Sequence, residues 1–525
     1  MTDVTTLVRS RRRPVCRVIG GASLAAALLA GAAGPISTAG AQTSPAAPTA
    51  LEAQMLQSVQ DANFDETIDF GPFEDVCPGA SFCAMPAGQI PYVPNVDVAI
   101  IELDANGQAV DVANVLLSRD YPDGIVVPID RAGGAAGSQG TTSVRWRRWD
   151  IDRYNGGTFD QGTGEQVTVK GWTDAPPLTA ADDIVAGRDT APIRFMAPYP
   201  ASLFKIIVAF RIMRLVDAGQ LSLKQKYAYD RTSDPLPDAA VKGEEQMDRR
   251  PNHGQAHRAS PRPTPSDRET RSIRDWMEPM ITVSDNRSTR ALLKLLHDRN
   301  DLPAMHAELR AMGLGTLQVN GTNPDTGGNW QPGQIHMTSL DTARLLWLIE
   351  GGVGPLWTRP DGSPVLASML SAGSRTYLKS LLEDQGYHEA LSTSNLCGAP
   401  NVAPGIPARV PDRWIDPSDG TVTVDGYPYG RDVRPCNAAA EVIFAHKTGL
   451  TFNYGSNAGI VRSLPGRPER RYVISFLSSL GYRYTDPAFA TRASNPCYDA
   501  VGPICYTQRI PAMAKALDDL LRSTP

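Results

Sequence analysis

Ser202 and Lys205, in the stretch Pro200-Ala201-Ser202-Leu203-Phe204-Lys205, are the residues whose types and spacing best suit chemistry. Side chains three residues apart on a helix share one face. A hydroxyl and an amine held together in this way, near the positive end of a helix dipole, turn a weak alcohol into a strong nucleophile. Such a nucleophile attacks a carbonyl and forms an acyl-enzyme. Ser-x-x-Lys occurs once in this chain, and two further polar triplets follow it in order: Ser284-Asp285-Asn286 and Lys447-Thr448-Gly449.

The surrounding sequence supplies elements able to position these residues. From Leu203 to Val216 nearly every residue is apolar, broken mainly by Lys205, Arg211 and Arg214, so this is the buried central helix of its domain. Asp217-Ala218-Gly219 places a glycine where that helix should end. Ile273, Trp276, Met277, Met280 and Ile281 fall on one side of a second helix, over 273–283, which delivers Ser284-Asp285-Asn286 at its end. Helical patterns also cover 50–60, 286–296, 303–312, 337–348 and 508–522. Val96 to Leu103 reads as a strand followed by the turn Asp104-Ala105-Asn106-Gly107, and Glu441 to Ala445 as a strand preceding Lys447-Thr448-Gly449.

The three triplets together are the signature of class A β-lactamases and penicillin-binding proteins. The chain resembles that serine hydrolase superfamily, closest to its class A branch, over roughly residues 93 to 485. Asn457-Ala458-Gly459-Ile460-Val461 and Tyr472-Val473-Ile474-Ser475-Phe476-Leu477 resemble the strands that follow the Lys-Thr-Gly strand, and Gly405-Ile406-Pro407-Ala408 resembles the approach to it. The resemblance implies an α/β fold, with an antiparallel sheet flanked by helices and an all-helical subdomain. Insertions fall at about 115–190, 230–271 and 387–440, within a catalytic domain spanning 93–525.

The resemblance also implies roles. Ser202 is the nucleophile, and Lys205, desolvated against the helix surface, helps to deprotonate it. Ser284 relays a proton to the departing nitrogen, and Asn286 offers a donor and an acceptor to a substrate amide. Lys447 and Thr448 bind a substrate carboxylate, present both in β-lactams and in peptides ending in D-alanine. Gly449 leaves the strand edge open to substrate. The backbone N–H groups of Ser202 and Leu450 form the oxyanion hole. No cofactor and no metal is called for.

One departure from the family pattern bears on turnover. Class A β-lactamases carry a glutamate, usually in Glu-x-x-Leu-Asn, that activates the deacylating water. Laid without gaps from Met312-Gly313, the matching stretch is Asn323-Pro324-Asp325-Thr326-Gly327, and Asn323 cannot act as a base. Asp325 is the one carboxylate in that loop and His336 the other titratable group nearby; Asp325 is either a substitute base or an ordinary turn residue. The expectation is intact acylation with slow hydrolysis of a bound β-lactam. Three readings follow: a hydrolase of β-lactams or related cyclic amides, a peptidase or esterase acting on D-alanyl peptides or another acyl substrate, and a sensor that stays acylated.

Composition bounds the rest. Residues 1–41 read as an export signal: Arg9, Arg11, Arg12, Arg13 and Arg17 precede the apolar run Val18 to Ala33, and Ala39-Gly40-Ala41 suits cleavage. Its removal takes away five arginines and Asp3, so the formal charge of −5 becomes −9. An acidic, exported protein is a poor partner for nucleic acid. No later segment is apolar for long enough to span a membrane. A monomer in the envelope or medium, meeting a small-molecule or peptide substrate, is expected. Six cysteines remain beyond Cys16, an even number that favours disulfides; the simplest connectivity pairs Cys77 with Cys83, Cys397 with Cys436 and Cys497 with Cys505. Residues 42–92 read as an extension packed on the main domain. Trp146, Trp149 and Trp172 read either as core residues of extra strands or a β-rich excursion, or as an aromatic wall for substrate. His253 and His257 lack the neighbouring glutamate of a zinc helix and lie in a polar loop.

Overall fold

In the run Val96–Leu103 successive side chains point to opposite faces of a strand, and each set is apolar but for one carboxylate, Glu102 or Asp97. Such a strand must be covered on both sides, and the computed structural model shows that it is. The structure describes residues 48–69, 88–90, 93–129, 143–149, 179–230, 268–367, 369–451, 453–482, 484–489 and 507–522. The expected export signal, Cys77, Cys83, Cys497, Cys505, Trp172, His253 and His257 lie outside the described residues.

Six strands form one antiparallel sheet: β1 (Val96–Leu103), β2 (Ala109–Ser118), β3 (Tyr121–Val126), β4 (Val442–Leu450), β5 (Gly455–Ser463) and β6 (Arg471–Ser478). Their spatial order is β4-β5-β6-β1-β2-β3, with every neighbour antiparallel. The two chain ends of the domain thus meet at the β6–β1 pair, where Ser475 lies opposite Ala99.

Val96, Val98 and Ile100 pack into a core with α1 (Ala50–Asp61) and the C-terminal helix Arg509–Arg522, through Met55, Val59, Met513 and Leu517. Ala99, Ile101 and Leu103 face the opposite core, built on the remaining helices. These are α2 (Lys205–Asp217), α3 (Ile273–Thr282), α4 (Asn286–Asp298), α5 (Leu302–Ala311), α6 (Ser339–Glu350) and α7 (Ala372–Glu383). The fold is the expected α/β arrangement of sheet, flanking helices and helical subdomain. Helix α1 shares a core with β1, so residues 50–61 pack on the main domain.

Helix α2 is buried nearly all round, as its composition requires. Its basic interruptions are neutralised on site: Arg211 Nη2 donates to Asp301 Oδ1 at 2.7 Å and Arg214 Nε to Glu308 Oε1 at 2.7 Å. The helix stops where expected. Gly219, at φ 68°, donates to the Val216 carbonyl, and Gln220 donates to that of Leu215. This paired closure needs a left-handed residue, which glycine adopts without a Cβ penalty.

The insertions differ in detail from expectation. An extra strand does fall within 115–190: β2 runs to Ser118 and β3 pairs with it. The excursion proper carries Val144–Arg147, paired in parallel with Ile193–Met196. Trp146 is fully buried there, edge-on to Phe195 with ring centroids 5.8 Å apart, and Trp149 is buried in the helical core. Both are core residues. The polar insert after α2 opens and closes with paired strands, Lys226–Asp230 against Arg268–Ser272. The segment 387–440 has a small core of its own, including Leu396, Val410, Val422 and Tyr429, and the expected Cys397–Cys436 disulfide closes it.

Candidate active site

Three chain segments converge. The first is the turn 201–204, a 3-10 helix that runs directly into α2, so Ser202 precedes the α-helix rather than occupying its first turn. In a 3-10 turn residues three apart eclipse, which keeps Ser202 and Lys205 on one side. Ala201 holds φ 47°, a left-handed conformation rarely taken by a residue with a Cβ. The second segment is the link between α3 and α4, where Ser284 also holds a left-handed φ, 58°. Asp285 is not a reacting group. It caps α4, accepting from Ser288 N at 2.8 Å, and this places Asn286 as the first residue of that helix. Each left-handed residue costs of order 1–3 kcal/mol, and such strain collects where geometry serves chemistry.

The third segment is β4. Lys447, Thr448 and Gly449 lie within it, not after it, because the strand continues to Leu450. It is an edge strand, held from behind by β5: Thr448 faces Asn457 and Gly449 faces Ser456. Asn457 Nδ2 donates to the Lys447 carbonyl at 2.9 Å.

Polar contacts join the three segments. Lys205, fully buried, donates from Nζ to the Ser284 carbonyl at 2.7 Å, to Ser284 Oγ at 3.1 Å and to Asn286 Oδ1 at 2.6 Å. Lys447, also fully buried, donates from Nζ to the same Ser284 Oγ at 2.9 Å and to the Thr448 carbonyl at 2.7 Å. Two ammonium groups therefore meet on one hydroxyl. Like charges this close repel, and the repulsion is relieved when one gives up its proton. Ser202 Oγ makes no hydrogen bond among the described residues, so it is free to meet an incoming carbonyl. Lys205 is tied to Ser284 and Asn286 instead.

The turn and the strand touch at Gly449. A Cβ there would lie 2.2 Å from the Pro200 carbonyl oxygen, 2.3 Å from Ser456 Oγ and 2.6 Å from Leu203 N. The glycine thus admits the serine turn; the expectation that it clears the strand edge for substrate missed this closer neighbour. Ser456 Oγ bridges the seam, 2.5 Å from the Pro200 carbonyl and 3.0 Å from that of Gly449. Ser202 and Leu450, the two expected oxyanion donors, are the chain neighbours of this contact.

The loop between α5 and α6 places its titratable groups elsewhere. Asn323 Oδ1 accepts from Asp325 N at 2.7 Å and from Thr326 N at 3.2 Å, closing a turn in which Asp325 is exposed. The Asp325 carboxylate makes no hydrogen bond or ion pair among the described residues. His336 is buried and lies 2.8 Å from Arg148 Nη1; burial and that cation push it down to about 3, so the ring stays neutral. The same loop turns Trp330 toward the site, its ring centroid 5.7 Å from Lys205 Nζ and 5.4 Å from the Phe204 ring.

Ser456, Asn457 and Trp330 were missed by sequence reasoning. The strand carrying Ser456 and Asn457 was recognised; only its register opposite Lys447-Thr448-Gly449 marks them. Nothing local marks Trp330.

The sequence model of the β-lactamase enzyme family matches residues 197–395, which include Ser202, Lys205, Ser284 and Asn286 but stop short of Lys447. No curated protein matches the chain. Among solved structures it is similar to PBP-A, at 16% identity over 62% of this chain and 83% of that one, with a TM-score of 0.35. It is also similar to a β-lactamase from Chitinophaga pinensis, at 15% identity over 61% and 84% of the two chains, TM-score 0.32. A β-lactamase from Xanthomonas campestris pv. campestris gives 15% identity over 61% and 82%, TM-score 0.32. The fold is carried by the strand order and helix placement described above, not by these overlaps. The similarity to the β-lactamase enzyme family is carried by residues 197–395, the part of the chain that holds Ser202, Lys205, Ser284 and Asn286.

Proposed function

We propose that this chain is an exported serine hydrolase that forms an acyl-enzyme on Ser202 from a β-lactam or a D-alanyl peptide and releases the acyl group slowly. The observation that carries the reading is the convergence of Lys205 and Lys447 on Ser284, beside a nucleophile turn seated on Gly449. When a carbonyl arrives, the Ser202 proton passes to neutral Lys205 as Oγ bonds to the acyl carbon. Ser284, bonded to both lysines, hands a proton to the departing nitrogen and regains one from Lys205, which returns to its neutral form. Lys447 and Thr448 receive the substrate carboxylate, Asn286 its amide, and the N–H groups of Ser202 and Leu450 the developing oxyanion. The peptidase reading gains from the loop after α5, where Asn323 occupies the glutamate position and closes a turn.

The test is the intact mass of the mature protein with benzylpenicillin, and separately with a peptide ending in D-alanyl-D-alanine, followed over time. A penicilloyl adduct that persists, and that Ser202→Ala lacks, is the expected result. Rapid loss of the adduct would overturn slow release and restore the β-lactamase reading. No adduct with either compound would overturn the acyl-enzyme itself.

A further inference from the structure

Trp330 has no part in the chemistry above, yet its indole lies against the residues that carry it. The ring centroid is 5.7 Å from Lys205 Nζ, and the ring meets Phe204, two residues after Ser202, in a T-shaped contact at 5.4 Å. It is held from several sides. Its Nε1 donates to the Gly327 carbonyl at 2.8 Å, its carbonyl accepts from Tyr199 Oη at 3.4 Å, and the Arg290 guanidinium lies 5.6 Å from the ring centroid. The loop between α5 and α6 therefore presents Lys205 with an aromatic face, while Asp325 in the same loop points its carboxylate into solvent.

This arrangement bears on the second half of an acyl-transfer cycle. Release requires a water oxygen to bond to the acyl carbon as the bond from that carbon to Ser202 Oγ breaks. One water proton ends on Ser202 Oγ, and the other leaves with the carboxylic acid. The water needs a base within hydrogen-bond reach, about 2.6–3.2 Å. Lys205 is the base nearest Ser202 in sequence. Its Nζ is occupied on one side by Ser284 and Asn286 and faces the Trp330 ring on another. An indole offers one N–H donor and no acceptor, and here that N–H is spent on Gly327. The face it turns to the site cannot hold or activate water.

We propose that Trp330 is the specificity-determining residue that keeps a hydrolytic water away from Lys205, and so sets the lifetime of the Ser202 acyl-enzyme. This rests on the acyl-enzyme reading above and adds the residue that governs its release. The ring, rather than any polar group, is the active feature.

The experiment measures acylation and deacylation separately, by intact mass with benzylpenicillin, for the mature chain and its Trp330→Ala and Trp330→Phe variants. Thermal melts check that each is folded. In Trp330→Ala deacylation is expected to rise by about tenfold, a change of one decade in rate, with no gain in acylation. Trp330→Phe, which keeps an aromatic face, should retain the slow release of the parent. An unchanged adduct lifetime in a folded Trp330→Ala protein overturns the proposal, as does a phenylalanine variant that decays as fast as the alanine one. Should the alanine variant not fold, Trp330→Leu gives the same comparison. A parent adduct that decays as fast as the variants sinks the role of Trp330 alone, whereas no parent adduct removes the acyl-enzyme reading and this inference together.

Discussion

Gly449 and Pro200 meet backbone to backbone, so closely that a Cβ on Gly449 would fall 2.2 Å from the Pro200 carbonyl oxygen. Two segments far apart in the chain, the nucleophile turn and the edge strand, are thereby registered to within the width of a methyl group. Alanine at 449 must push the turn away from β4, because two of its three nearest neighbours are backbone atoms that cannot rotate aside. Overpacking of this kind costs about 1–3 kcal/mol. Gly449→Ala should lower the melting temperature and, by shifting Ser202 relative to Leu450, slow penicilloylation by about 100-fold. Intact mass and a thermal melt on one preparation check both. Normal acylation in the variant would mean that the seam does not set the geometry of the nucleophile.

Lys205 reaches three acceptors on the α3–α4 link, and none of them is Ser202. If its role is to accept the serine proton once substrate is bound, Lys205→Ala should lose about 10²–10⁴-fold in acylation rate, the range of general base catalysis. If Lys205 only braces Ser284, Lys205→Arg should restore much of the activity, since a guanidinium supplies donors but does not deprotonate in proteins. The expected outcome is that arginine fails like alanine. Recovery with arginine would assign Lys205 to bracing.

Much of this site was legible before any coordinates, and the reason is chemical. Ser202, Lys205, Ser284, Asn286 and Lys447 form a recognisable pattern because their spacing follows from the turn, helix and strand that present them. The fold could be read for a related reason: α2 is apolar all round and β1 on both faces, which only a buried central helix and a covered sheet explain. Partners defined by register or by a loop path were not legible. Ser456 and Asn457 matter because β5 lies opposite β4 with Gly449 against Ser456, and no local pattern states that pairing.

Asp325 was the sequence candidate for a deacylating base. In the structure it is exposed, with its backbone N–H tied to Asn323. Asp325→Asn should therefore leave the deacylation rate of a penicilloyl adduct unchanged within about twofold, far less than the ~10²-fold or greater loss when a general base is removed. A drop of that larger size would bring the loop carboxylate back to the site in the acylated protein.

His388 is buried against His446 of β4, with ring centroids 4.5 Å apart, and His446 stacks on Phe444 at 4.2 Å. His446 precedes Lys447, so what strains this pair reaches the lysine-bearing strand. Burial pushes His388 down to about 4, only weakly opposed by the Gln385 backbone; His446 is pushed down further by burial, by His388 and by Lys447. Both rings are therefore neutral in the folded chain at pH 7, whereas the unfolded chain takes up protons near 6.5. The unfolded state then binds more protons between pH 6.5 and 4, and the stability contributed by neutral burial is lost as pH falls through that window. For His388 alone the loss amounts to roughly 3 kcal/mol. Asp97 works in the opposite direction. Burial lifts it to about 6, against hydrogen bonds from Ser339 and Asn114, so its contribution is present in acid and fades as pH rises through 6. The parent's own pH profile mixes the two, and the informative quantity is the difference between parent and His388→Leu. Urea unfolding at pH 7, 6, 5 and 4 should show the parent losing stability relative to the leucine variant with each step down. Parallel profiles would mean that His388 takes up its proton as readily in the folded chain as in the unfolded one.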